Sequence, residues 1–283
     1  LTACGPAPTN SGSGLRVLAS TTFLADITRN IAGDRAHVDS LLPFGADPHA
    51  YQAAPADVAR IAESELLIIN GLEYERFIES LLKNAGGDRL IVEATAGLHP
   101  REDEAGGQGV DPHMWLDPNL VVGYVENIRD GLIEADSHGR ETYTANADAY
   151  ITQLKELDTW IVEQVNTIPA ARRLLVTNHE AVGYFADRYG FEVVGAVIPS
   201  MSTEAGTSAK EMAALIEQIK AADARAIFLG EVENPDLANQ IAAETNIIVV
   251  DDLYLESLTD GAPAATYIDM MKHNVTRIVD GLK

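Results

Sequence analysis

Three of the seven histidines in this chain share a context that suits metal binding. His49 and His113 each follow an Asp-Pro pair, and His179 directly follows the apolar run at residues 174–177. Proline fixes the backbone just before each of the first two imidazoles, which limits the conformations that these histidines lose on binding a ligand. A lone loop histidine is more often solvated, so we assign no ligand role to the histidines that lack this context, His37, His99, His138 and His273.

A carboxylate is the expected fourth ligand, because three neutral imidazoles leave the +2 charge of a divalent cation uncompensated. Asp251, Asp252 and Glu256 all follow the apolar run at residues 247–250. Their spacing alone does not choose among them. Metal and protons compete for the imidazole nitrogens, so metal affinity is expected to fall below about pH 6.

Short β-rich runs alternate with amphipathic stretches along the chain, which is typical of βα units and parallel sheets. Because ligands bind outside the carboxyl ends of strands in open α/β sheets, we expect the three imidazoles to face one crevice. The sequence therefore predicts an α/β fold of two lobes, each with a four-stranded, mainly parallel sheet flanked by helices. The predicted strands are residues 15–20, 38–42, 66–70 and 90–93, then 174–177, 193–198, 226–229 and 247–250.

Residues 141–167 contain neither glycine nor proline and carry apolar side chains at helical spacing. A helix of about 25 residues spans roughly 38 Å, so we predict one long rigid α-helix joining the lobes. The predicted division is a lipoprotein cleavage site and flexible tether at 1–14, an N-terminal lobe at 15–140, a linking helix at 141–168 and a C-terminal lobe at 169–283.

The chain is strongly acidic. Its 283 residues include 43 Asp and Glu against 20 Lys and Arg, for a formal net charge of −23. Such a surface repels phosphate backbones, which excludes nucleic acid as a partner. No apolar run approaches the ~18 residues needed to span a bilayer.

The first residues predict a lipid anchor. Leu1, Thr2, Ala3 and Cys4 have the form of a bacterial lipoprotein cleavage site, where the preceding signal peptide is removed and the cysteine is lipidated. Residues 5–14 (GPAPTNSGSG) are typical of a flexible tether. We therefore expect an extracytoplasmic protein, anchored to the cell membrane through lipid on Cys4.

From Leu15 to Lys283 the chain resembles the solute-binding lipoproteins of zinc and manganese ABC importers, a group called cluster A-I. The resemblance implies two α/β lobes joined by a long helix, with one metal ion between them. It also implies delivery of this ion to a membrane permease. We expect the protein to be a monomer. The segments that carry it are residues 45–51 (GADPHAY), 113–118 (HMWLDP), 179–185 (HEAVGYF) and 267–274 (YIDMMKHN).

The resemblance implies metal ligands at His49, His113 and His179. The fourth ligand of the family is usually an aspartate in an aromatic-x-Asp-Ser-Leu segment, and residues 254–258 (YLESL) match that frame with Glu256 instead. The longer glutamate side chain leaves both monodentate and bidentate binding open, and Asp252 remains a second candidate.

The expected cargo is one divalent transition metal ion, Zn²⁺ or Mn²⁺. Three imidazoles favour Zn²⁺ slightly, because zinc lies above manganese in the Irving–Williams order. The short and nearly histidine-free stretch at residues 99–110 favours Mn²⁺, since many zinc-specific relatives carry a long His-rich loop there.

We do not expect an enzyme, although two alternatives to an importer component remain. One is a zinc-dependent hydrolase using the same histidines and carboxylate, and the other is a surface adhesin, a label that such lipoproteins have carried. No HExxH motif, nucleophile elbow or Gly-rich phosphate loop accompanies the histidines.

Overall fold

A computed structural model describes residues 14–101 and 109–283. The predicted lipid-bearing Cys4 and nearly all of the predicted tether lie outside the described residues. None of the helices in the described parts is long and apolar enough to cross a membrane.

Two four-stranded parallel sheets form the framework, with strand orders β2-β1-β3-β4 and β6-β5-β7-β8. This arrangement confirms the predicted α/β fold class. The strands are β1 Leu15–Ala19, β2 Ala36–Ser40, β3 Leu66–Ile69 and β4 Leu90–Glu93 in the first sheet, and β5 Leu174–Thr177, β6 Glu192–Ala196, β7 Ala226–Gly230 and β8 Ile248–Leu253 in the second.

All eight predicted strands are present, and the boundaries differ most at the sheet edges. β2 begins two residues before its predicted start because Ala36 and His37 pair in register with the first residues of β1. β8 continues past the apolar run through Asp251 and Asp252, whose carboxylates can stay in solvent because β8 is an edge strand. The central strands β3 and β7 are apolar and largely buried, as expected for strands covered on both faces.

Helices flank both sheets. In the described parts of the chain they are α1 Thr22–Ala32, α2 Pro55–Glu63, α3 Ile78–Ala85, α4 Pro118–Ala135, α5 Arg140–Val165, α6 Gly183–Tyr189, α7 Ala209–Ala222, α8 Asp236–Thr245 and α9 Tyr267–Leu282. Asp117 caps α4 by accepting the Asn119 N–H, and Pro118 occupies the first helical position, as the Asp-Pro pair predicts.

The long helix α5 joins the two halves of the chain. Its 26 residues span about 39 Å, and it packs on α1 and α4 of the first half and on α9 of the second. It ends at Val165, a few residues before the predicted end at 168, because the N–H groups of Thr167 and Ile168 turn back to bond to Gln164 and Val165 carbonyls. The division into lobes at residues 140 and 168 stays a prediction.

One apolar core runs through both halves, so α5 is not their sole connection. Trp115, from the segment before α4, is fully buried and stacks on Phe23 of α1. Its indole N–H donates to the carbonyl of Leu255 at 2.8 Å, and its own carbonyl accepts from the Tyr267 hydroxyl at 2.7 Å. These bonds tie the loop after β8 and the start of α9 to the first half of the molecule.

Replacing Leu154 by alanine tests the role of α5. Leu154 is 1% exposed in the stripe that packs on the core, so Leu154→Ala is expected to lower the free energy of unfolding by about 2–5 kcal/mol. Glu156→Ala, on the exposed face of the same helix, is the matched control and is expected to change it by less than about 0.5 kcal/mol. Urea denaturation of both variants measures the difference, and equal losses would contradict this packing.

Candidate metal centre

The four predicted side chains come from the carboxyl ends of four strands, two in each sheet. His49 lies in the loop after β2, and His113 lies between β4 and α4. His179 lies two residues after the end of β5, and Glu256 lies three residues after the end of β8. The parallel topology therefore delivers one imidazole pair from the first half and an imidazole and a carboxylate from the second.

These side chains meet around one point. Their potential ligand atoms all lie within 4.8 Å of one another. Glu256 Oε1 lies 3.2 Å from His179 Nε2, 3.5 Å from His113 Nε2 and 3.8 Å from His49 Nε2. His113, His179 and Glu256 are buried, and the His49 side chain is 7% exposed.

The four facing atoms have no hydrogen-bond partner among the residues that the structure describes. They are His49 Nε2, His113 Nε2, His179 Nε2 and Glu256 Oε1. A buried polar atom without a partner costs about 1–3 kcal/mol, so four at one point are unfavourable unless something fills the space between them. Three imidazole nitrogens and one carboxylate oxygen are the ligand types that zinc and manganese accept.

Each Asp-Pro-His segment folds into the same local turn. Asp47 Oδ1 accepts the backbone N–H of His49, and Asp111 Oδ1 accepts that of His113, both at 2.9 Å. An aspartate that bonds the backbone two residues ahead is an Asx turn. The repeated motif thus fixes the backbone through the aspartate as well as through the proline, a role that the sequence analysis did not assign to Asp47 or Asp111.

Glu256 is held from two directions. Its Oε2 accepts the Tyr74 hydroxyl at 2.5 Å, which leaves Oε1 toward the imidazoles. Behind it, the Glu231 carboxylate accepts the backbone N–H groups of Leu255, Glu256 and Ser257 at 2.8, 3.2 and 2.6 Å. Tyr74 and Glu231 orient this carboxylate, and no local pattern in the sequence pairs either of them with Glu256.

Two of the imidazoles are backed by carboxylates on their far side. The Nδ1–H of His113 donates to Asp111 Oδ1 at 2.8 Å, and the Nδ1–H of His179 donates to Glu233 Oε1 at 2.5 Å. In the neutral ring, these bonds fix the tautomer in which Nε2 carries the lone pair that a metal ion needs. Glu233 was not predicted from the sequence, because its position two residues after Glu231 has no recognisable spacing to His179.

Charge is distributed unevenly within the cluster. Burial raises the pKa of the Glu256 carboxyl, but the three facing imidazoles lower it by more, so it lies well below its ordinary value. Burial lowers the pKa of the His179 imidazole, yet Glu233 and Glu256 raise it to about 10. The same balance, with Asp111 in place of Glu233, raises the pKa of His113. Without metal, the His179 imidazole is therefore protonated at neutral pH and faces the ionised Glu256 carboxylate.

The other candidate carboxylates lie elsewhere. Asp252 is half exposed and accepts from Arg277 Nε at 2.6 Å, and Asp251 is exposed on the same edge strand. His273, which was given no ligand role, bonds through Nε2 to the Asp252 carbonyl at 2.8 Å. Of the three carboxylates that spacing left open, only Glu256 reaches the imidazoles.

A cleft of about 530 Å³ opens beside the four side chains. Of these four, only His49 lines it, together with residues such as Tyr74, Pro112, Met201 and Glu204. His49 is therefore the one of these four residues that borders the cleft.

Comparison with known proteins places the chain in a family. The profile of the family described as ZnuA, zinc-uptake complex component A, periplasmic, matches residues 17–281. The chain belongs to this family. It is also 36% identical to the manganese-binding lipoprotein MntA of Halalkalibacterium halodurans, over 99% of this chain and 93% of that protein.

Solved structures of metal-binding proteins are also similar to this chain. The periplasmic zinc binding protein TroA from Treponema pallidum superposes with a TM-score of 0.87 at 28% identity, covering 95% of this chain and 99% of that one. The Mn-bound periplasmic metal binding protein from Candidatus Liberibacter asiaticus gives 0.85 at 28% identity, covering 95% and 100%.

These comparisons confirm the resemblance to metal-importer lipoproteins and the extracytoplasmic localisation expected with it. They also confirm that the chain is a substrate-binding protein of the ABC-transporter type and not an enzyme. The hydrolase and adhesin alternatives find no support in them.

The metal-free protein is expected to be less stable at pH 9 than at pH 6. The pKa of His179 rises from 6.5 to about 10, so its stabilising contribution is complete below 6.5 and is lost as the pH rises toward 10. Burial also raises the pKa of Glu231, from 4.5 to about 8, and this raised value costs stability as the pH rises through that interval.

Urea denaturation of the protein in chelator at the two pH values measures this effect. The midpoint is expected to be lower at pH 9, and His179→Gln is expected to show a smaller drop because it lacks the titrating ring. A wild-type midpoint that is equal or higher at pH 9 would contradict the charge distribution described here.

Proposed function

We propose that this protein captures one divalent transition metal ion between its lobes and delivers it to the permease of an ABC importer. The ion is held by His49, His113, His179 and Glu256. The observation that carries the proposal is the set of four buried, unpartnered atoms that face one another in this cluster. A single cation satisfies all four of them and replaces the protons that the imidazoles otherwise hold.

The protein works as a monomer outside the cytoplasm, anchored by lipid on Cys4. The lipoprotein names of its relatives and the Leu1 to Cys4 sequence support the anchor.

We propose Zn²⁺ as the more tightly bound ion, with Mn²⁺ as a second cargo that the site also accepts. Three imidazoles favour zinc by the Irving–Williams order, and the TroA structure is described as zinc binding. The manganese-binding name of the relative from Halalkalibacterium halodurans and the Mn-bound neighbour support manganese as cargo. Softer thiolate-preferring ions fit poorly, because the chain has a single cysteine, far from these residues in sequence.

Glu256 binds the ion through one oxygen in this proposal. Its Oε2 is engaged by the Tyr74 hydroxyl, so Oε1 is the atom free to coordinate. Monodentate binding keeps the coordination number at four protein donors, which suits a tetrahedral zinc site.

Release requires the two halves to separate locally, since hydrogen bonds between them close the site. The Gly45 N–H donates to Ser257 Oγ at 2.9 Å. Gly45 has a positive φ, a backbone conformation that favours glycine. The Thr203 hydroxyl donates to Asp47 Oδ2 at 2.6 Å across the cleft. Both bonds connect the His49 loop to the second half, so opening them moves His49 away from Glu256. The shared apolar core keeps this movement small.

The proposal is tested by elemental analysis of the purified protein and by calorimetric titration of the stripped form with Zn²⁺ and Mn²⁺. One equivalent of either ion, with zinc bound more tightly, is the expected result. Manganese affinity equal to or above that of zinc would contradict the choice of ion, and no binding of either would contradict the function.

Single alanine variants test the ligand set. His49→Ala and His179→Ala each remove one metal ligand, so each is expected to weaken Zn²⁺ binding by more than about 100-fold. This loss exceeds the loss of about 10–100-fold that follows when a residue supporting a ligand is replaced. His273→Ala is the control, because this histidine bonds to the Asp252 carbonyl away from the cluster, and it is expected to bind zinc as the wild type does. Equal affinities for the three variants would refute the assignment.

Metal affinity is expected to keep rising with pH well above pH 6. A ligating nitrogen must be neutral, and the carboxylates around His179 raise its pKa to about 10, so protons compete with the metal across the neutral range. The pH range over which metal affinity rises is therefore higher than the range expected from histidines with an ordinary pKa. Zinc titrations at pH 6, 7 and 8 are expected to show affinity rising by about tenfold per pH unit for each proton displaced. Calorimetry in buffers of different ionisation enthalpy is expected to show that protons are released on binding. Affinity that is constant above pH 6.5 would contradict it.

A further inference from the structure

The carboxylate behind His179 is held more firmly than a surface acid. Glu233 lies in the loop between β7 and α8, and its side chain is 1% exposed. One oxygen accepts the His179 Nδ1–H, and the other accepts the backbone N–H of Gly230. Both oxygens are thus fixed, so the imidazole and the carboxylate form one rigid unit.

The three imidazoles differ in their support. Behind His49, the neighbouring Asp47 bonds the backbone N–H, and its second oxygen is used by Thr203. Behind His113, the Asp111 carboxylate has the Arg101 guanidinium 3.9 Å away. Within the described residues, no Lys or Arg is ion-paired with Glu233, so its negative charge acts on His179 without a nearby countercharge.

We propose that Glu233 is a specificity-determining positioning residue, which acts through His179 to raise the affinity of the site for Mn²⁺ relative to Zn²⁺. This inference rests on the proposed function. Glu233 does not touch the ion itself. Its negative charge polarises the Nδ1–H bond and makes Nε2 a stronger and more anionic donor.

The difference between the two ions follows from their bonding. Zinc binds neutral imidazole strongly, whereas manganese lies at the weak end of the Irving–Williams order and prefers hard, anionic donors. A three-histidine set therefore disfavours manganese unless the donors carry additional negative charge. Glu233 supplies that charge in a dry environment, where its effect on a cation is large.

The test is Glu233→Gln, which keeps the size of the side chain and an oxygen that can accept the Nδ1–H but removes the charge. We expect the Kd for Mn²⁺ to rise by about 10–100-fold and that for Zn²⁺ by clearly less, so that the Mn²⁺-to-Zn²⁺ ratio of Kd values rises by at least about tenfold. The matched control is Glu75→Gln. Glu75 is another buried carboxylate, and its hydrogen-bond partners among the described residues are the Ser20 hydroxyl and the backbone N–H groups of Asn70 and Gly71. Its substitution is expected to leave the ratio unchanged.

Titrations of the wild type in the same series separate the two proposals. Wild-type protein that binds neither ion would overturn the proposed function itself. Wild-type binding combined with an unchanged ratio in Glu233→Gln, or the same change in Glu75→Gln, would overturn only the role of Glu233. An independent measurement does not depend on the variant folding: proton NMR of the zinc-loaded wild type is expected to show an exchange-protected, strongly downfield Nδ1–H for His179, and its absence would also overturn the inference.

Discussion

The structure depends on one constraint, which is that four polar atoms from distant parts of the chain are buried against one another. Three imidazole nitrogens and one carboxylate oxygen face a common point and find no hydrogen-bond partner among the described residues. Such an arrangement costs free energy in an apolar interior. Surrounding hydrogen bonds hold the side chains of His113, His179 and Glu256 in this arrangement. In the proposed function a divalent cation offsets the cost by bonding to all four atoms.

The supporting contacts come from both halves of the molecule and act at several levels. Parallel sheets bring four strand ends to one cleft, Asx turns set the backbones of His49 and His113, and the far-side carboxylates of Asp111 and Glu233 choose the tautomers. The Glu231 carboxylate holds the backbone that carries the fourth donor. Because the donors are divided between the halves, the cluster is complete only when the halves are together. A transport protein needs this property, since a small separation lowers affinity for the cargo.

Much of the fold and of the metal centre was predictable from the sequence. The parts that were not predicted were missed for physical reasons. The eight strands, the long helix and the strand-end positions of His49, His113 and His179 follow from apolar periodicity and from parallel-sheet geometry. Glu233 and Tyr74 were not predictable, because their contacts to His179 and Glu256 join residues 54 and 182 positions apart with no periodic relation. Edge strands β2 and β8 were misplaced by a few residues, since an edge strand tolerates polar side chains that the apolar pattern excludes.

The account as a whole requires a single ion at the point where these four atoms converge. Anomalous diffraction from crystals of the protein loaded with Zn²⁺, collected on both sides of the zinc absorption edge, tests this most directly. One strong peak is expected between the lobes, about 2.0–2.2 Å from the Nε2 atoms of His49, His113 and His179 and from Glu256 Oε1. A peak coordinated by other residues, or the four side chains facing one another around no anomalous scatterer, would contradict it.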